Sequence, residues 1–278
     1  MTKTLILVRA TRLTPRNLTL ADTLAAASGH PVAFVLDGRF PVGVASERQA
    51  LMVTKPDCEA LGLYCPDDFT WRCGDYGLYL ARKTMPDFER FWLVEHDVLI
   101  TAPQAFFPAF DSDPEPDLVA TYYRPADKSW FWTRHVEGRN VRPYRCMFPV
   151  VSISARAVDA LLAKRVEHAS QARRRNLWPN DEGFVATALT AAGFRCRDFN
   201  DLGRAYYDEA SFTFDSPIDG DRFAPPANRP WLYHPVLAGD AYRDKMARLR
   251  DEPDLRRPSL LRRQTDRVSR RLAALASW

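Results

Sequence analysis

Short unbroken apolar runs separated by stretches of helical spacing dominate the first two hundred residues. Residues 4–8 (TLILV) and 32–36 (VAFVL) are continuous apolar runs that end on polar residues, Arg9 and Asp37. Runs of this length without alternation predict strands buried on both faces, as in a parallel sheet. Between them, residues 20–28 are Ala-rich and closed by Gly29, which predicts a helix and a β-α-β start. Residues 39–70 carry mixed signals, with a short strand predicted near 61–64, and residues 75–83 suit a helix. Residues 91–98 (FWLVEHDV) begin with a third apolar run and predict a strand over 91–100.

Pro103, Pro108, Pro114 and Pro116 then predict a loop. Residues 118–123 and 147–153 predict strands, the latter running into a helix over 155–163 capped by Ser154. A Trp- and Arg-rich segment lies at 130–145, and a basic loop at 173–175. After Trp178 to Gly183 (WPNDEG), the spacing of Phe184, Val185, Ala188, Leu189 and Ala192 predicts a helix that Gly193 closes. Residues 200–230 show little periodicity. Residues 233–235 read as extended, since a residue before proline avoids the helical region. No internal repeat is present.

At 278 residues, 46% hydrophobic and 27% charged, the chain has the composition of a globular protein with room for one large core. No apolar run approaches the roughly 20 residues that span a bilayer. The first apolar run is short and precedes Arg9 and Arg12, unlike a signal peptide, so a cytoplasmic location is expected. Cys58, Cys65, Cys73, Cys146 and Cys196 are odd in number and form no CxxC pair, which predicts reduced thiols. Residues 240–278 hold eleven Lys or Arg against six Asp or Glu, so this tail carries +5 of a net charge of +4 and the rest, at −1, is nearly neutral. A nearly neutral body argues against a nucleic-acid partner.

The densest chemistry follows the third apolar run. Strand side chains alternate, so Glu95 and Asp97 are expected on one face and His96 on the other. Two carboxylates at the end of a central strand are costly to bury unless paired or holding a cation. Open α/β sheets also place their ligands at such ends. One reading is a divalent metal carrying a phosphorylated substrate; the other is a solvated strand end.

The series of strand-helix-strand, E-x-D strand end, later strand-helix, acidic helix start and late His-Pro resembles the GT-A class of nucleotide-sugar glycosyltransferases. The resemblance spans most of residues 4–236. It implies a Rossmann-like α/β fold, with a mixed, mostly parallel central sheet flanked by helices. It also implies metal-dependent transfer of a sugar from a nucleoside-diphosphate sugar to a glycan or lipid-linked acceptor. Glu95 to Asp97 stands where family members carry D-x-D, so Asp97 is the implied ligand of Mn²⁺ or Mg²⁺, with Glu95 assisting. Such a cation neutralises the leaving diphosphate. A late histidine serves the metal in the family; here it is His234, and its imidazole favours Mn²⁺. The alternative for His234 is a turn residue packed beside Trp231 and Tyr233.

Asp181 and Glu182 open a helix, where acids suit the helix dipole and Asn180 or Asp181 suits the cap. In the family one carboxylate of such a pair faces the acceptor, and in an inverting enzyme it takes the acceptor hydroxyl's proton. Asp181 is the preferred candidate. Arg9 and Asp37 fall where the family binds the nucleotide base and ribose, and Asp75 at the interval of a further nucleotide contact; an ordinary turn or cap role is the alternative for each. Trp130, Trp132 and Tyr144 are candidates for stacking on a sugar, or for packing.

Residues 256–278 read as a basic helix with Leu261, Val268, Leu272 and Leu275 on one face. Such a helix lies on an anionic membrane surface or packs on its own domain. The expected organisation is therefore a catalytic domain over 1–239 and a basic helical extension over 240–278 of a cytoplasmic protein, the extension either packing on its own domain or a partner or lying at the inner face of the membrane. Two other functions compete. A nucleotidyltransferase or phosphohydrolase would use the same acids, but residues 9–12 (RATR) lack the glycine-rich phosphate loop. A non-catalytic carbohydrate-binding or scaffold protein would keep only the fold.

Overall fold

The opening β-α-β unit forms where the apolar pattern places it. In the computed structural model, which describes residues 2–111, 116–136, 138, 141–171, 175–226 and 228–251, β1 (Thr4–Ala10) pairs in parallel with β2 (Val32–Asp37). The helix between them, α1 (Pro15–Ser28), begins earlier than its Ala-rich stretch, because Thr14 and Asn17 form a reciprocal cap and Pro15 suits the first turn. Gly29 closes it with φ of 72°, a left-handed conformation that glycine adopts without strain.

β4 (Arg90–Glu95) runs beside β1, with Arg9 opposite Glu95. Phe91, Trp92, Leu93 and Val94 are all 0% exposed. Phe91 and Leu93 face one core layer and Trp92 and Val94 the other, which is why the run is apolar without alternation. The first layer is covered by α4 (Tyr76–Thr84), α7 (Ala155–Ala169) and α8 (Asp181–Ala191), the second by α1 and α5 (Pro103–Asp111). β3 (Ala50–Val53) extends the sheet beyond β2. β7 (Tyr144–Ser154) lies antiparallel to β4 and to β6 (Leu118–Pro125), and β8 (Cys196–Asp198) pairs in parallel with β6. The seven-stranded sheet has the order β3-β2-β1-β4-β7-β6-β8, with β7 reversed, and is flanked by helices: the mixed, mostly parallel α/β fold expected.

Three local expectations are corrected. No strand forms at 61–64. β3 forms earlier, α2 (Lys55–Ala60) follows it with Thr54 as cap, and Leu63 fills the core from the turn after α2. The proline stretch is not all loop. α5 places Pro103 at its start, where a missing N–H costs nothing, and carries Pro108 inside. Phe106, Phe107 and Phe110 are buried against Trp92, and this packing outweighs the roughly 3 kcal/mol that an internal proline costs. The strand over 91–100 divides: β4 ends at Glu95, a turn follows, and β5 (Leu99–Thr101) pairs antiparallel with β10 (Trp231–Tyr233).

Beyond β10, β11 (Val236–Leu237) pairs with β9 (Ile218–Asp219), and α9 (Gly239–Asp251) follows. Short helices α3 (Phe69–Arg72) and α6 (Thr133–Val136) border the cleft described next. All five cysteines are free thiols. Among the described residues no helix is long and apolar enough to cross a membrane. Pro114, most of the basic loop at 173–175 and the basic helix predicted over 256–278 lie outside the described residues.

Candidate active site

A cleft of about 870 Å³ opens over the carboxyl ends of β1, β2 and β4, with Arg9, Asp37 and Glu95 in its walls. The turn after β4 closes with Val98 N–H donating to the Glu95 carbonyl at 3.1 Å and carries Asp97 at its tip. Because Tyr233 sits opposite Leu99 in the β5–β10 ladder, His234 arrives beside that turn, and Val236 N–H donates to the Asp97 carbonyl at 2.8 Å. The ligand atoms of Glu95, Asp97 and His234 thus lie within 4.8 Å of one another. Their convergence comes from the turn and from a distant strand, not from alternation along one strand.

His234 is held in one orientation. Its Nδ1 lies 2.7 Å from the Thr213 carbonyl, which can only accept, so in the neutral ring the proton sits on Nδ1 and Nε2 carries the lone pair. Nε2 faces Asp97 Oδ1 at 3.6 Å, beyond hydrogen-bond range. The Phe212 ring, 5.0 Å away and tilted by 34°, fixes the imidazole plane. Asp97 Oδ1 is buried and has no hydrogen-bond partner among the described residues. An orphaned carboxylate oxygen beside an oriented imidazole lone pair fits a divalent cation, with the histidine's outer nitrogen anchored as metal ligands usually are.

Arg9 links this cluster to a second one. It donates to the Glu95 carboxylate, and through Nη2 to the Thr70 carbonyl at 2.6 Å. Burial alone would lower its pKa; Glu95, Asp181 and Asp75 outweigh that and raise it. Asp181 opens α8, with Asn180 as the cap, its Oδ1 accepting from Gly183 N–H at 3.1 Å. Asp181 Oδ2 accepts the Gly74 N–H at 2.9 Å and Oδ1 the Glu182 N–H at 2.8 Å. Burial pushes the Asp181 carboxyl up to about 7 against the pull of Arg9. Burial, and then Asp181, drives Glu182 well above the carboxylate range. Two carboxyls set apart from their ordinary pKa in a cleft are candidates for acid-base work.

Asp37 lines the cleft beside Arg39, which donates to it through Nε at 3.0 Å and Nη2 at 2.6 Å. Burial opposes its charge, yet the Arg39 hydrogen bonds prevail and lower its pKa. Asp75 is a correction: it is 0% exposed, away from the cleft surface, and its oxygens accept from Arg165 and Tyr79. Trp130 and Trp132 line the cleft, Trp130 packed over Gly183, whereas Tyr144 stacks on Tyr123 at 5.4 Å and serves packing.

Sequence reading missed the cleft's aromatic rim. Trp71, Phe214, Phe131 and Phe40 are 67%, 55%, 47% and 45% exposed, and all four line it. They fall in stretches without periodicity, so only their exposure distinguishes them from core aromatics. It also missed Gly74, where a Cβ would lie 2.5 Å from Asp181 Oδ2 and 2.6 Å from Arg9 Nη1. Glycine there leaves room for both side chains over one peptide.

No protein-family profile and no curated protein matches the sequence. Among solved structures, the chain is similar to a glycosyltransferase involved in the glycosylation of the major capsid of PBCV-1, 12% identical at a TM-score of 0.39, over 70% of this chain and 81% of that one. It is similar to an active-site mutant of LgtC, 14% identical at a TM-score of 0.40, over 69% of this chain and 72% of that one. A mannose-1-phosphate geranyltransferase from Thermus thermophilus is 14% identical at a TM-score of 0.34, over 72% of this chain and 70% of that one.

Proposed function

We propose that this cleft transfers a sugar from a nucleoside-diphosphate sugar to a glycan acceptor, with Mn²⁺ or Mg²⁺ held by Asp97, Glu95 and His234. The observation that carries the proposal is the orphaned Asp97 Oδ1 facing His234 Nε2, one arginine away from a buried carboxyl that burial pushes up to about 7. A cation in that set supplies charge neutralisation for the departing diphosphate.

The chain's own residues account for the remaining tasks. Asp37, kept ionised by Arg39, accepts from ribose hydroxyls at the end of β2, and Arg9 holds Glu95 in place. Asp181 takes the acceptor hydroxyl's proton, and its raised pKa suits a base working near pH 7. The aromatic rim offers flat faces to pyranose rings, which supports a glycan over a flexible aliphatic acceptor. Residues 1–239 form the catalytic unit in this reading and 240–278 a basic extension of a cytoplasmic enzyme.

The test is a thermal-shift screen of UDP-, GDP-, CMP- and dTDP-sugars with Mn²⁺, Mg²⁺ or EDTA, on wild type and Asp97→Ala. A native-state ligand at a hundred times its Kd stabilises by about 2.7 kcal/mol. The expected result is a rise in Tm for one nucleotide class that requires both metal and Asp97. Absence of any shift from a folded protein favours the non-catalytic scaffold instead.

A further inference from the structure

One charged side chain of α7 points into the core. Arg165 is 0% exposed. Its Nε donates to Asp75 Oδ2 at 2.8 Å and its Nη2 to Asp75 Oδ1 at 3.1 Å, a bidentate pair, while Nη1 donates to the Pro179 carbonyl at 3.0 Å. The Phe184 ring lies 3.8 Å from the guanidinium carbon and the Trp178 ring 5.1 Å. A pair buried this deeply adds little net stability, because desolvation offsets the attraction and apolar replacements of similar volume are often as stable. Stability alone therefore does not account for it.

Where the three hydrogen bonds land does. Asp75 directly follows Gly74, whose N–H donates to Asp181 Oδ2. Pro179 directly precedes Asn180, the cap of the helix that Asp181 opens. One guanidinium thus ties together the two chain segments that meet at a single carboxylate. The fork geometry matters, since only a planar guanidinium reaches both Asp75 oxygens and a carbonyl on a third line. We propose that Arg165 is a positioning residue for Asp181, locking the Gly74 peptide against the first turn of α8 so that the carboxylate is held beside Arg9. The inference rests on Asp181 as the acceptor's base.

The experiment compares kcat, KM, donor Kd and Tm for wild type, Arg165→Lys, Arg165→Met and the double variant Arg165→Met with Asp75→Asn, using the donor and metal found in the thermal-shift screen. Arg165→Lys keeps the charge but not the fork. It is expected to lower kcat on the order of 10- to 100-fold, as sub-ångström to ångström misplacement does. Donor Kd, set at Glu95, Asp97 and His234, stays near wild type. The double variant removes the stranded buried charge and is expected to regain Tm without regaining kcat. Wild-type kcat in Arg165→Lys, or kcat recovering together with Tm in the double variant, overturns the proposal. A second arm needs no turnover: the ¹⁵N-labelled Gly74 amide is expected to shift as Asp181 titrates in wild type, and to lose that response in Arg165→Lys. If wild type transfers no sugar from any donor, the glycosyltransferase reading fails. The amide arm then still decides the clamp, and an unchanged Gly74 response in Arg165→Lys defeats it.

Discussion

At the scale of single residues, the site is a chain of charges in which each group sets its neighbour. Asp181 is raised by burial from an ordinary carboxylate value to about 7. Its folded-state pKa exceeds its unfolded one, so its contribution to stability is present at low pH and is lost as pH climbs through about 7. Activity moves the other way, since a base must be ionised. The expected profile is kcat/KM rising with pH and levelling above neutrality, and Asp181→Asn is expected to abolish transfer while donor-induced thermal shifts persist. Retained turnover in that variant excludes the role. At Gly74 the expectation is steric. Gly74→Ala places a methyl 2.5 Å from Asp181 Oδ2, so kcat is expected to drop on the order of 100-fold with a folded circular dichroism spectrum. For His234→Ala, isothermal titration is expected to show Mn²⁺ affinity falling by at least about 10-fold.

At the scale of elements, packing decides what propensity leaves open. Thr14 and Asn17 extend α1 beyond its Ala-rich stretch, and Thr14→Ala is expected to cost about 1 kcal/mol in denaturant unfolding. α5 tolerates Pro108 because Phe106, Phe107 and Phe110 surround Trp92, so Phe106→Ala is expected to cost about 3 to 5 kcal/mol, far more than the cap. A chevron or urea titration that ranked Thr14→Ala as the more damaging would contradict this account. The same pairing logic brings the candidate metal ligands together: β5 is only three residues long, yet its ladder with β10 carries His234 from far along the chain to Asp97.

At the scale of the whole molecule, charge is segregated: a nearly neutral α/β body and a tail that holds the excess of basic residues. A tail of this kind gains about 1 kcal/mol per Lys or Arg near an anionic surface. Flotation with anionic liposomes decides between membrane contact and packing on the protein: preferential recovery of the full-length chain over one ending near Asp254 establishes the membrane role, and equal recovery removes it. By itself the sequence determined the alternating strands and helices of the sheet, the closing Gly29 and Gly193, the Ser154 cap, and the acids at positions 95, 97, 181 and 182. Each is written in local spacing or in one residue's backbone preference, and local rules survive without knowledge of the fold. Tertiary structure alone decided that Asp75 is sealed under Arg165, that α5 is a helix despite its prolines, and which aromatics rim the cleft. It also decided that His234 meets Asp97. Those outcomes depend on contacts between residues distant in sequence, where burial and desolvation outweigh any local preference and leave no periodic trace in the chain.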